Sequence, residues 1–184
     1  MNTLLALYNG IFGRLERQEW LLPTLARFVF AATLVGYFWK SGLTKLGDGI
    51  FGIFSPSTGA YAQIFPKAIE AVGYDASQLS FFHWLVVFGG TVAEFILPLL
   101  IIIGLLSRLS AIGMIGFVIV QTLTDLYGHH LIDDPKSVGA WFDRFPDSIL
   151  MDQRTFWIFV LLVIVVKGGG PLSVDHILKK RFQE

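Results

Sequence analysis

The chain has 184 residues, 54% of them hydrophobic and only 15% charged, with 14 basic and 14 acidic side chains that leave no formal net charge. With a mean hydropathy of +0.63, this composition excludes an ordinary soluble domain, in which about a quarter of residues are charged, and the neutral balance gives no broad basic surface for nucleic acid. Because there is no cysteine, disulfides, thiolate-bound zinc, iron–sulfur clusters and thiol redox chemistry on this chain are excluded as well.

In chain order, residues 1–12 are apolar but short, lack a basic start and run into Arg14 and Arg17. This predicts a helix lying at the membrane surface, not a cleaved signal. A first span is predicted over 20–39, bracketed by Trp20 and Trp39 at the two interfaces. Arg27 lies about two turns inside it. It has two readings: it snorkels to the nearer headgroups, or it reaches Glu94 on a neighbouring helix. Lys40 and Lys45 then leave the membrane as anchors, with Gly42 allowing the helix to end. Residues 47–80 carry Gly, Ser, Pro and several aromatics. They are too apolar for a floppy linker, so short helices packed on the bundle rim are expected, one of them over 60–72.

The second span, 81–106, contains no charge except Glu94 near its midpoint. A charge at the centre of a bilayer costs at least about 2.5 kcal/mol, so Glu94 must be protonated, paired or turned inward. Pro98, four residues on, removes the helical partner of the Glu94 carbonyl and predicts a bend there, beside Gly89 and Gly90. A tight turn through Arg108 leads into a third span, 109–126, antiparallel to the second. On it, Gly113 and Gly116 allow close helix approach, and Gln121 and Asp125 share one face at the far end. The loop 127–154 is acidic and aromatic. The fourth span, 155–169, measures about 22 Å and requires Arg154 and Lys167 to snorkel at its ends.

The expected fold is therefore all-α: one domain over 1–184, a polytopic membrane four-helix bundle with extended outer loops and short amphipathic terminal segments. Seven Lys and Arg residues fall on the short segments of one side, against six on the two long loops. The positive-inside rule then places both termini in the cytoplasm and the loops outside a cytoplasmic (inner) membrane.

Three stretches together resemble the DoxX family of small bacterial four-helix membrane proteins. They are Phe38-Trp-Lys-Ser-Gly-Leu-Thr-Lys-Leu46, then Glu94 with Pro98, Gly104 and Arg108, and last Gly168-Gly-Gly-Pro-Leu-Ser-Val-Asp175. The resemblance implies a four-helix bundle and, for some members, a membrane subunit of an oxidoreductase that passes electrons to quinone. The loops 47–80 and 127–154 are longer than in simpler members. In the closing motif, Gly168, Gly170 and Pro171 suit a sharp turn at the headgroups, Ser173 can cap the following helix, and Asp175 suits its first turn. Asp175 can alternatively pair with Arg108 or Arg27 and lock the tail to the bundle.

Three functional readings follow. In the first, Glu94 and Arg27, with Gln121 and Lys45 as cofactor-binding candidates, serve a quinone headgroup or a proton path; the competing structural reading is an Arg–Glu pair joining two helices. In the second, Asp125, His129, His130 and Asp133 bind a divalent metal, with His83 a further candidate, against an ordinary solvated loop with Asp125 near Lys40. In the third, the chain is a non-catalytic anchor or scaffold whose outer loops dock a partner. The expected partners are the lipid bilayer, a redox partner subunit and further copies of the chain.

Overall fold

The computed structural model describes residues 2–182, and among these every regular element is helical. A surface helix, α1 (Asn2–Glu16), precedes the first of four helices long and apolar enough to cross a membrane: α2 (Leu21–Lys45), α5 (Phe81–Ile103), α6 (Ser107–Gly128) and α8 (Ile149–Lys167). Short helices α3 (Thr58–Ile64) and α4 (Pro66–Ala71) lie between α2 and α5. α7 (Pro135–Val138) lies in the second loop, and α9 (Val174–Arg181) ends the chain.

The long helices form a ring in which α2 and α6 each pack against both α5 and α8. Neighbours run antiparallel, so the two diagonals are parallel. The apolar residues that hold the ring recur one turn apart. Phe30, Leu34 and Phe38 on α2 meet Ile101 on α5, Ala111, Met114 and Val118 on α6, and Leu161 and Ile164 on α8. A second cluster, Ala60, Tyr61, Ile69 and Val87, ties α3 and α4 to α5. The one helix expected over 60–72 is two, divided at Phe65, because Pro66 has no N–H to continue the ladder and instead opens α4.

Three expectations are corrected. The first span does not stop at Trp39: α2 continues to Lys45 because Ser41 and Lys45 find partners inside the bundle. Gly42 does not end the helix; it makes room for the Phe95 ring, which would lie 2.7 Å from any Cβ there. The fourth span begins earlier, at Ile149, and Arg154 does not snorkel but is 3% exposed. Wide turns make this possible: the N–H of Gln153 donates to Ser148 O (3.1 Å) at the start of α8, and that of His129 to Thr124 O (3.0 Å) at the end of α6. Pro98 is buried within α5, which continues through it.

Candidate functional site

Tyr37, Ser41 and Lys45 form a polar stripe at four-residue spacing on α2, directed at the ring interior. Lys45 Nζ donates to both carboxylate oxygens of Glu94, at 2.9 and 3.0 Å, and to Ser41 Oγ at 2.7 Å. Ser41 Oγ donates in turn to Glu94 at 3.0 Å. Both charged groups are almost fully buried. On the diagonal helix, Gln121 Nε2 donates to the Tyr37 hydroxyl at 2.7 Å, and Tyr37 lies 5.2 Å from Trp157, ring to ring. One turn further along α6, Asp125 accepts from Arg154 Nη2.

All of these groups except Trp157 line one cavity of about 570 Å³. It exists because the facing strips of α5 and α6 are built from small residues: Gly89 and Gly116 have open space where a Cβ would stand, and Gly113 meets only Leu97. Gly89, Gly113, Gly116 and Val120 line the cavity and are exposed, so it opens sideways between the two helices, toward lipid. Gln121 and Arg154 are part of its lining, and Arg154 Nε and Nη1 and Gln121 Oε1 are buried without a hydrogen-bond partner among the described residues. An unmet donor pair and an unmet acceptor in one wall are costly unless something occupies the space.

Of the residues singled out from sequence, Glu94, Lys45, Gln121, Asp125 and His129 converge on this cavity. Arg27 does not. It sits level with the end of α5, where Nε donates to Ile101 O (2.9 Å), Nη1 to Gly169 O (2.8 Å) and Leu172 O (2.7 Å), and Nη2 to Ile102 O. The expected Arg27–Glu94 pair fails because Glu94 lies about two turns, roughly 11 Å, further along the antiparallel helix; Lys45 takes the carboxylate instead. Nor does Asp125 approach Lys40, since Arg154 enters the bundle to meet it.

The four residues expected to share a metal do not meet either. Asp125 is ion-paired, His129 Nε2 bonds Gln63 O at 3.0 Å, His130 takes a left-handed φ of 59°, Asp133 is exposed, and the further candidate His83 bonds Ser80 Oγ at 2.8 Å. No group of three or more such ligands is found among the described residues. Tyr37, Ser41 and Arg154 were missed as site residues. The signal for the first two was the 37–41–45 spacing; for Arg154 it was an opposite charge at the same end of the bundle as Asp125.

The closing motif makes a separate knot at the end that bears the termini. Asp175 accepts from the N–H groups of Leu106 (2.7 Å) and Ser107 (2.8 Å), capping α6, and its own N–H donates to Gly104 O at 2.9 Å. Ser173 Oγ caps α9 by accepting from His176 N–H at 3.2 Å. Asp175 therefore touches backbone, with Arg27 nearby as a charge, and does not pair with Arg108. Burial opposes its ionisation, but the Ser107 and Leu106 hydrogen bonds and the Arg27 charge outweigh that and hold the carboxyl below its ordinary value. A depressed folded value means the stabilisation is present above the unfolded carboxylate value, about 3.9, and is lost as pH falls through the lower folded one. Thermal stability of the wild type should accordingly fall as pH drops below the ordinary carboxylate value, about 3.9. The Asp175→Asn protein, less stable at neutral pH, should show a flatter profile.

The DoxX family model matches residues 22–130, well over half of the chain. The chain belongs to the DoxX family. No curated protein matches it, and no solved structure does. The DoxX match carries Lys45, Glu94, Gln121 and Asp125 but stops before Arg154 and the closing motif, so the cavity combines the DoxX-matched helices with a cation from α8.

Proposed function

We propose that this DoxX family protein is the membrane subunit of a redox system and holds a quinone in the cavity between α5 and α6. The observation that carries this reading is a lipid-facing window onto a cavity lined by Gln121 and Arg154, both of which keep hydrogen-bonding atoms without a partner among the described residues. The ligand that fits must dissolve in the bilayer yet present both acceptors and donors at its head. The volume, about 570 Å³, lies within the range of small-molecule sites, about 300–1,000 Å³. Two ion pairs, Lys45–Glu94 and Arg154–Asp125, leave the wall neutral overall, which suits an uncharged head.

A quinone bound there supplies the chemistry of taking up two electrons, from a redox partner, and two protons. The chain's own residues then have distinct tasks. Arg154 would donate N–H groups to an acceptor oxygen, and Gln121 and Tyr37 would fix the head's rotation. Lys45 and Glu94 share a proton along the Nζ–Oε contact and can pass it inward. In this reading the termini face the cytoplasm, supported by the seven-to-six split of Lys and Arg.

The test is a titration of the purified protein with a short-tailed benzoquinone, read by quenching of tryptophan fluorescence. Saturable binding should weaken about tenfold in Arg154→Gln, the loss of a charged donor bond. Gly116→Leu, which fills the window without touching a polar group, should abolish it. Glu94→Gln should retain binding but shift the pH dependence of the bound quinone's midpoint potential. Exposed Trp141, Phe142 and Phe145 at the loop end favour a second reading, a non-catalytic scaffold docking a partner; no saturable quinone binding by the wild type would leave that one standing.

A further inference from the structure

At the opposite end of the bundle from the loops, a groove of about 750 Å³ runs between the start of α6, the end of α8 and α9. Three cations line it, Arg108, Lys167 and Lys179. Each comes from a different helix, all are exposed, and none belongs to an ion pair among the described residues. Two carboxylates also line the groove. Asp175 is taken up by backbone N–H groups, which leaves Glu19 as the single carboxylate facing the three cations. Arg108 is laid across the backbone at Gly168, where a Cβ at φ +77° would stand 3.4 Å from its Nε. The wall of the groove then changes character along the bundle: Leu109 and Val166, 64% and 66% exposed, continue it down the apolar faces of α6 and α8. Trp20, on its rim, is of the type that marks the headgroup level.

A basic patch that passes directly into an exposed apolar strip, at the depth where a helical bundle meets headgroups, complements one kind of molecule. We propose that this groove binds an anionic phospholipid, with the phosphate on Arg108, Lys167 and Lys179 and an acyl chain along Leu109 and Val166. Charge complementarity selects the anionic headgroup, since each Lys or Arg near the membrane surface adds attraction toward anionic lipid, and the apolar continuation selects a lipid over a soluble anion. The basic last turn of α9 carries Lys179, Lys180 and Arg181 together, but only Lys179 lines the groove. That provides an internal control, because diffuse attraction to a charged surface treats Lys179 and Lys180 alike.

The experiment titrates delipidated, detergent-purified full-length protein with phosphatidylglycerol or phosphatidylcholine and counts retained lipids by native mass spectrometry. One phosphatidylglycerol should be retained in preference to phosphatidylcholine. Arg108→Gln, Lys167→Gln and Lys179→Gln should each weaken it about fivefold, whereas Lys180→Gln should change it by less than about twofold. Leu109→Asn should weaken lipid retention without altering the response to inorganic phosphate. Equal losses from Lys179→Gln and Lys180→Gln would overturn the groove in favour of a diffuse surface effect. Displacement of the lipid by millimolar inorganic phosphate, with no preference between the two lipids, would overturn the lipid assignment. All four cations are exposed, so these variants should fold, which circular dichroism checks.

Discussion

Lys45→Met should destabilise the purified protein by about 3–5 kcal/mol, whereas Lys45→Met with Glu94→Met should restore most of that loss. The asymmetry follows from where the pair lies. Lys45 and Glu94 are 5% and 3% exposed, so removing the ammonium leaves a carboxylate with only the Ser41 hydroxyl for company. Removing both charges eliminates the desolvation cost along with the attraction, and two methionines fill similar space. Reversible unfolding in mixed micelles measures both. If Lys45→Met were neutral, Lys45 would be an ordinary headgroup anchor and the cavity would lose its proton-holding pair. The double variant also separates stability from chemistry: it should assemble, yet lose the pH dependence proposed for the bound quinone.

Arg27→Met should cost at least about 3 kcal/mol, because four buried or half-buried carbonyls lose a charged donor at once and each unmet one costs about 1–3 kcal/mol. Arg27→Lys should not rescue it, since a point charge with three donors cannot reproduce the planar fork that bridges α5 to the closing loop. The expected signature is local: limited proteolysis should cut near residues 168–173 in the variant and spare the wild type. Gly104→Ala should have the same signature by another route. Its Cβ would stand 2.4 Å from Ser173 Cβ and 3.0 Å from Arg27 Cζ, on a backbone held at φ +71°. Uncut Gly104→Ala protein would mean that the knot is more compliant than its geometry implies.

The spans were legible because hydropathy and length report directly on the bilayer, and Glu94 was legible because a lone carboxylate in an apolar helix demands a partner. Which partner was not. Arg27 and Lys45 lie on the same helix, and only the vertical register of α2 against α5, set by packing such as Gly42 against Phe95, chooses between them. The cavity was hidden for a similar reason. Gly89, Gly113 and Gly116 can signal either close packing or open space, and that depends on how far apart α5 and α6 stand. Arg154 was hidden because the wide first turn of α8, which draws it into the membrane, has no mark in composition. The closing motif was half legible: the Ser173 cap was readable from its spacing, but the role of Asp175 on α6 required two segments 69 residues apart to meet.

The grip of Arg27 on Gly169 joins residues 142 positions apart, and this has a consequence in time. At a synthesis rate of about 5–20 residues per second, the first span waits about seven to thirty seconds before the carbonyls that receive its guanidinium exist. During that interval the arginine must rest at the membrane–water boundary, where its long side chain can keep the charge hydrated. A segment made long after the first span is thus the one that draws that helix to its final depth, and a nascent chain halted before residue 168 should leave the helix displaced toward the surface.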